Sequence, residues 1–218
     1  MIDYKSVSLA NQVFSVIEKN IINEVYAPGD VLSESRLSKE LGVSRTPIRE
    51  ALGRLEAEKL IASSTNGSVV LGITTQDVED MFMVKRALEP EAFRRAARSM
   101  SEGALEKLKS NLEKQEFYAV KKDSEQLKNL DTEFHDLIYE GSGSMILFSI
   151  LSPNHHKLLK FRKASLEMSD RIEHSYSEHV AIYHALAERN EDLAAALITE
   201  HVNHAYENIN ENIKREEK

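Results

Sequence analysis

Apolar residues return every fourth position through the first stretch of the chain. Val13, Ile17, Ile21 and Val25 fall on one stripe and predict a helix over residues 6–25. "APGD" at 27–30 stops it. Leu37 and Leu41 mark a short second helix, with Ser33 as its N-cap and Gly42 at its end. Ile48, Leu52 and Leu55 mark a third, capped by Ser44 and with Pro47 in its first turn, where a missing N–H costs nothing. The period then changes. "LIASS" and "SVVLGI", short β-favouring runs on either side of "TNG", predict a hairpin. From residue 75 only helical periodicity remains, over 75–98, 102–119, 124–140, 145–163, 169–188 and 191–213. Pro90 lies inside the first of these, where it can kink the helix.

The predicted fold is mainly α, in two domains. Residues 1–74 run helix, helix, short turn, helix, hairpin, the order of a winged helix-turn-helix. Residues 75–218 form an all-α six-helix bundle. Only 8 Gly and 4 Pro in 218 residues agree with long helices and short connections. The closing "NINENIKREEK" is polar and is expected to fray.

Composition narrows the setting. No run approaches the roughly 18 apolar residues of a membrane span, so no membrane partner is expected. The start "MIDYKSVSLA" lacks the regions of a secretory signal, and cytoplasmic is the expected location. The absence of Cys excludes disulfide frameworks and thiolate zinc fingers.

Charge sharpens the first domain. The chain has 28 Lys+Arg against 36 Asp+Glu, a formal net charge of −8. That excess lies almost wholly beyond residue 75, whereas Arg36, Lys39, Arg45, Arg49 and Arg54 face only Glu40 and Glu50 within 36–54. On the third helix Arg45 and Arg49 fall on one face beside Thr46, opposite the apolar stripe. That is the geometry of a recognition helix entering the major groove from its N-terminal end. Arg can read guanine O6 and N7 bidentately, and Thr can meet a thymine methyl or a phosphate. Arg36 can approach the same groove or the flanking backbone, and Asn66 and Gly67 form the hairpin tip. The plainer alternative is a solvated face making surface ion pairs.

Eight histidines lie in the second domain. Asp131 and His135 are in step with Leu127, Phe134 and Ile138; His179 with Ile172, Tyr176, Ile182 and Leu186; His201 with Ala194, Ile198 and Ala205. Three segments thus each turn imidazole or carboxylate toward a core, as metal sites in bundles are built. Imidazoles with one carboxylate suit zinc, nickel, cobalt, iron or manganese. Taken singly, each His is more often a satisfied core side chain. His155 and His156 are placed in a loop after Pro153 and His174 on a polar face, and these three are left out with His184 and His204.

"PGDVLSESRLSKELGVSRTPIREALGRLEAEKLI" (28–61) resembles, without gaps, the DNA-binding domain of the GntR family of bacterial transcription regulators. The resemblance implies operator contacts by Arg36, Arg45, Thr46 and Arg49, with Ser44 fitting the family pattern and Asn66–Gly67 as wing tip. "RALEPEAFRRAA" (86–97), "DTEFHDLI" (131–138), "EHVAIYHALAERN" (178–190) and "AALITEHV" (195–202) are similar to the FCD ligand-binding domain of the FadR-type subfamily. That resemblance implies a divalent transition metal, zinc or nickel foremost, on Asp131, His135, His179 and His201. One departure is Ser144, where the family has Asn.

These readings converge on a homodimeric transcription regulator on an inverted-repeat operator, controlled by a small organic acid at the metal. Arg86 and Arg162 are named as its carboxylate partners, Arg162 competing with a basic surface at Lys157, Lys160 and Lys163. The alternative is a metal-dependent hydrolase, for which Glu89 and Glu133 are the nearest general bases. No catalytic residue is assigned, and the chain is read as a non-enzyme. A third reading is a regulator whose Asp/His set is structural or without metal, with the effector bound elsewhere.

Overall fold

Ser8 opens the first helix, its side chain accepting a hydrogen bond from the Asn11 N–H, and α1 (Leu9–Ile22) follows. The computed structural model describes residues 8–159, 161 and 171–216. α1 buries Val13, Phe14, Ile17 and Ile21 but ends before Val25, which is exposed. The chain turns at Glu24, φ 56°, and Tyr26 takes the buried place instead. β1 (Val31–Leu32) comes next, then α2 (Glu34–Leu41), capped by Ser33 and ended by Gly42 in the left-handed region, φ 68°. α3 (Arg45–Ala57) starts after Ser44, whose backbone is extended but whose hydroxyl makes no capping bond among the described residues.

β2 (Ile61–Ser64) and β3 (Gly67–Val70) form the hairpin, joined by Thr65 and Asn66. β1 pairs antiparallel with the other side of β3, so the sheet order is β1-β3-β2. Val31 and Leu32 sit opposite Val69 and Ser68. This makes a glycine obligatory at 67: its φ is +137°, and a Cβ there would lie 2.7 Å from the Leu32 carbonyl oxygen. Leu32, Leu37, Ile48, Leu55 and Val70 join the α1 residues in one core.

The chain divides into two compact units, 1–74 and 75–218. In the second, the described helices are α4 (Thr75–Ser99), α5 (Glu102–Lys121), α6 (Ser124–Gly141), α7 (Met145–Lys157), α8 (Arg171–Ala187) and α9 (Glu191–Glu216). α4 continues through Pro90 and α7 through Pro153. Ser101, Asp123 and Ser144 cap α5, α6 and α7 with side-chain oxygens. Ser144 accepts from the Leu147 N–H, so the turn holds although Asn is absent. α4 packs on α6, α7, α8 and α9, α6 also on α5 and α7, and α8 on α5 and α9. This convergence positions the buried polar groups described next. Among the described residues no helix is long and apolar enough to cross a membrane.

Candidate functional site

α3 presents the face expected of it. Pro47, Ile48, Ala51, Leu52 and Leu55 are buried, and Ser44, Arg45, Thr46 and Arg49 are exposed beside them. Arg49 grips Glu34 of α2 through one edge of its guanidinium, Nε to Oε1 at 2.8 Å and Nη2 to Oε2 at 2.9 Å. That bond holds the Glu34 carboxyl below its usual range and raises the Arg49 pKa. Arg36 is exposed on α2, 3.8 Å from Glu40 and donating to the Val31 carbonyl at 3.4 Å. Arg54 belongs elsewhere, stacked over the Phe14 ring at 3.9 Å against α1. Thr65 and Asn66 are the exposed hairpin tip. Gly67, assigned to the tip from sequence, lies inside the first pair of β3 and is half-buried. The β1 strand accounts for its being glycine.

In the helical unit Asp131 and His135 of α6, His179 of α8 and His201 of α9 are all buried, with one ligating atom from each within 4.8 Å of the others. Their surroundings orient them. Gln115 donates its amide to Asn111 at 2.7 Å, which turns its Oε1 toward His179; His179 Nδ1 donates to it at 2.8 Å. His201 Nδ1 donates to Glu178 at 2.7 Å, and His204 binds the second oxygen of the same carboxylate at 2.8 Å. Both imidazoles therefore carry their lone pair on Nε2. His179 Nε2 faces Asp131 at 3.6 Å. Phe134 stacks on the His179 ring, centroids 4.2 Å apart. His135 turns Nδ1 toward the Tyr139 hydroxyl at 3.4 Å. Imidazoles held by outer acceptors beside one carboxylate are a donor set that fits a divalent transition ion.

The cluster extends further than the sequence reading carried it. His155, placed there in a loop, is on α7 and fully buried, its Nε2 3.3 Å from Asp131 Oδ2. Its phase with Leu151 and Leu158, also buried, was the available signal. Glu89 of α4 is likewise buried and accepts from the Tyr139 hydroxyl and from Lys85 Nζ at 2.5 Å. Lys85 also meets His155 Nδ1 at 2.9 Å. Arg86 requires correction: it is exposed, bonded to Asn203 at 2.9 Å and stacked over Tyr206 at 4.4 Å, so it does not face the cluster. One residue turns a helix by about 100°, and Lys85 is the inward cation. Arg162 lies outside the described residues. Glu133 is exposed and bonded to Asn111 at 3.0 Å. A cavity of about 10 Å³, room for one water, opens beside Asp131, His179, Gln115 and Tyr176.

A winged helix-turn-helix unit followed in one chain by an all-helical unit defines a two-part, DNA-binding transcription regulator. The chain belongs to the gntR family of bacterial regulatory proteins that carry an FCD domain: residues 9–71 match the former and residues 80–204 the latter. The HTH-type transcriptional regulator YdhC of Bacillus subtilis is 28% identical over 201 residues, 91% of this chain and 89% of that protein. The gluconate operon transcriptional repressor of Bacillus licheniformis is 29% identical over 182 residues, 81% of this chain and 75% of the relative. The solved structure of E. coli McbR/YncC has the same fold, with a TM-score of 0.81 at 22% identity, covering 96% of this chain and 99% of that one.

Proposed function

We propose that this regulator binds an inverted-repeat operator as a homodimer, and that a small organic acid controls its grip through a metal ion on Asp131, His135, His179 and His201. The observation that carries the reading is the convergence of these four buried side chains from three helices. Gathering a carboxylate and three imidazoles in the core is costly, and a bound cation offsets part of that cost. The ion, zinc or nickel foremost, supplies a Lewis-acid centre with positions open to a carboxylate oxygen.

The chain's own residues do the rest. Gln115 and Glu178 fix the imidazole tautomers, and Lys85 is the buried cation available to an acid in place of Arg86. Glu89 is paired with Lys85, and the nearby buried Asp131 meets the imidazoles of His155 at 3.3 Å and His179 at 3.6 Å. A divalent ion adds positive charge beside Asp131, which an effector carboxylate offsets. A relative named for a gluconate operon supports the acid class, gluconate being a sugar acid. The cavity holds only about one water, so the acid enters a conformation in which the helices part.

On the DNA face, Glu34 occupies the Nε/Nη2 edge of Arg49 and leaves the Nη1/Nη2 end for guanine O6 and N7. Ser44, Arg45, Thr46 and Arg36 add base and phosphate contacts, and Asn66 at the wing tip reaches the neighbouring groove.

The test is fluorescence anisotropy on DNA from upstream of the protein's own gene and on a scrambled duplex. Arg49→Ala is expected to lose about 1–3 kcal/mol on the first and little on the second. Small acids, gluconate included, are expected to shift operator affinity of metal-loaded protein and not of chelated protein. Equal binding of both duplexes by Arg49→Ala and wild type would sink the recognition-helix assignment.

A further inference from the structure

Beside the Asp131 set lies a second group of ligating side chains. Glu89 of α4, His135 of α6 and His155 of α7 are all buried, with ligating atoms within 4.8 Å of one another. Two imidazoles and a carboxylate hold divalent ions with positions left open. His135 belongs to both groups, and its Nδ1 looks toward Glu89 Oε1 at 3.7 Å.

A cation already stands at this second position. Lys85 Nζ touches two of the three ligating residues, Glu89 at 2.5 Å and His155 at 2.9 Å, and the side chain is 2% exposed. The same carboxylate has capacity beyond this ammonium. Glu89 Oε2 is buried and accepts no hydrogen bond among the described residues, although Oε1 is shared by Lys85 and Tyr139. A buried carboxylate oxygen left in that state loses its hydration without replacement, and a metal ion would restore a partner to it.

We propose that the core contains two adjacent cation positions sharing His135, and that the Lys85 ammonium fills the second in place of a metal. The inference rests on the proposed metal at Asp131, His135, His179 and His201. The wild-type chain then takes one divalent ion, and a chain without the ammonium takes two, His135 releasing its ring N–H proton to solvent so that each of its nitrogens carries a lone pair. Lys85 keeps the centre mononuclear and stays beside it as a fixed positive charge. A merely structural Lys85–Glu89 pair predicts a different result, in which loss of the ammonium lowers stability and leaves metal stoichiometry unchanged.

The experiment titrates metal-free, untagged protein with Zn²⁺ by calorimetry and counts bound metal by elemental analysis. The expected values are about one ion per chain for wild type and about two for Lys85→Met, returning to about one in Lys85→Met/His155→Ala. No ion in wild type would overturn the underlying metal reading. One ion in both wild type and Lys85→Met would overturn this inference alone. If metal-free Lys85→Met does not fold, its thermal unfolding is followed while Zn²⁺ is added. Recovery of a cooperative transition only beyond the first equivalent supports the second site, and failure to recover at any metal concentration overturns it. Lys85→Met/Glu89→Gln, which removes both buried charges, is the folded control and is expected to bind one ion.

Discussion

In residues 8–74 the arginines proposed to meet DNA stand in solvent. Arg45 and Arg36 are exposed, and the bidentate Arg49–Glu34 pair is itself open, its side chains 72% and 31% exposed. In the helical unit the candidate site's charges are inside: Lys85, Glu89 and Asp131 are buried with His135, His155, His179 and His201. An exposed pair contributes about 0–1 kcal/mol and costs little to break, so its residues remain available to a partner. A buried ion costs several kcal/mol of lost hydration, recovered only with good partners. On the proposed reading the first unit carries function on side chains its fold does not need. The second would build function into its core, where binding and stability change together.

The sharpest way to break this contrast is to truncate one charge in each unit and compare urea unfolding. Glu89→Ala removes the carboxylate paired with the buried Lys85 ammonium and is expected to cost about 3–5 kcal/mol. Arg49→Ala is expected to stay within about 0.5 kcal/mol of wild type. Equal losses would erase the distinction. A smaller effect is expected one layer out from the proposed metal site. Glu178→Gln changes the acceptor of both His201 and His204, and zinc affinity measured against a competing chelator should fall by about 10–100-fold. Operator binding by metal-free Glu178→Gln should match that of metal-free wild type.

On the DNA side, Arg36→Ala should weaken binding to all sequences and lower the salt slope by about one, since its place at the start of α2 suits a phosphate. The smallest effect is electrostatic. Arg49 holds the folded Glu34 pKa below its unfolded value, so the pair's slight stabilisation is present above the unfolded value and is lost as pH falls through the folded one. NMR titration should show Glu34 returning to the ordinary glutamate range in Arg49→Ala.

Much of this was legible in the sequence wherever a period decided it. Ile48, Leu52 and Leu55 placed the outward face of α3, and helical phase turned Asp131, His135, His179 and His201 inward, while their joining in one set was implied by the family resemblance. What escaped depended on other forces. β1 is two residues long, too short for any period, and exists because β3 offers it a free edge. That pairing, rather than DNA, explains Gly67. Val25 continued the apolar stripe, yet the helix had already ended and Tyr26 filled the core. His155 was set aside because Pro153 read as a breaker, whereas α7 passes through it. Arg86 was named as a carboxylate partner from its helix alone; its neighbour Lys85, one residue and about 100° away, is the one that is buried.

The most direct test of the account is the metal content of untagged protein purified without chelator, for wild type and His179→Ala side by side. His179 lies in the core, so folding of both proteins is checked by circular dichroism. The account predicts about one divalent transition ion per wild-type chain and its loss in the variant, with operator binding by the winged unit still measurable. No ion in wild type after reconstitution, or an equal content in folded His179→Ala, would contradict it and leave the four residues as a hydrogen-bonded core.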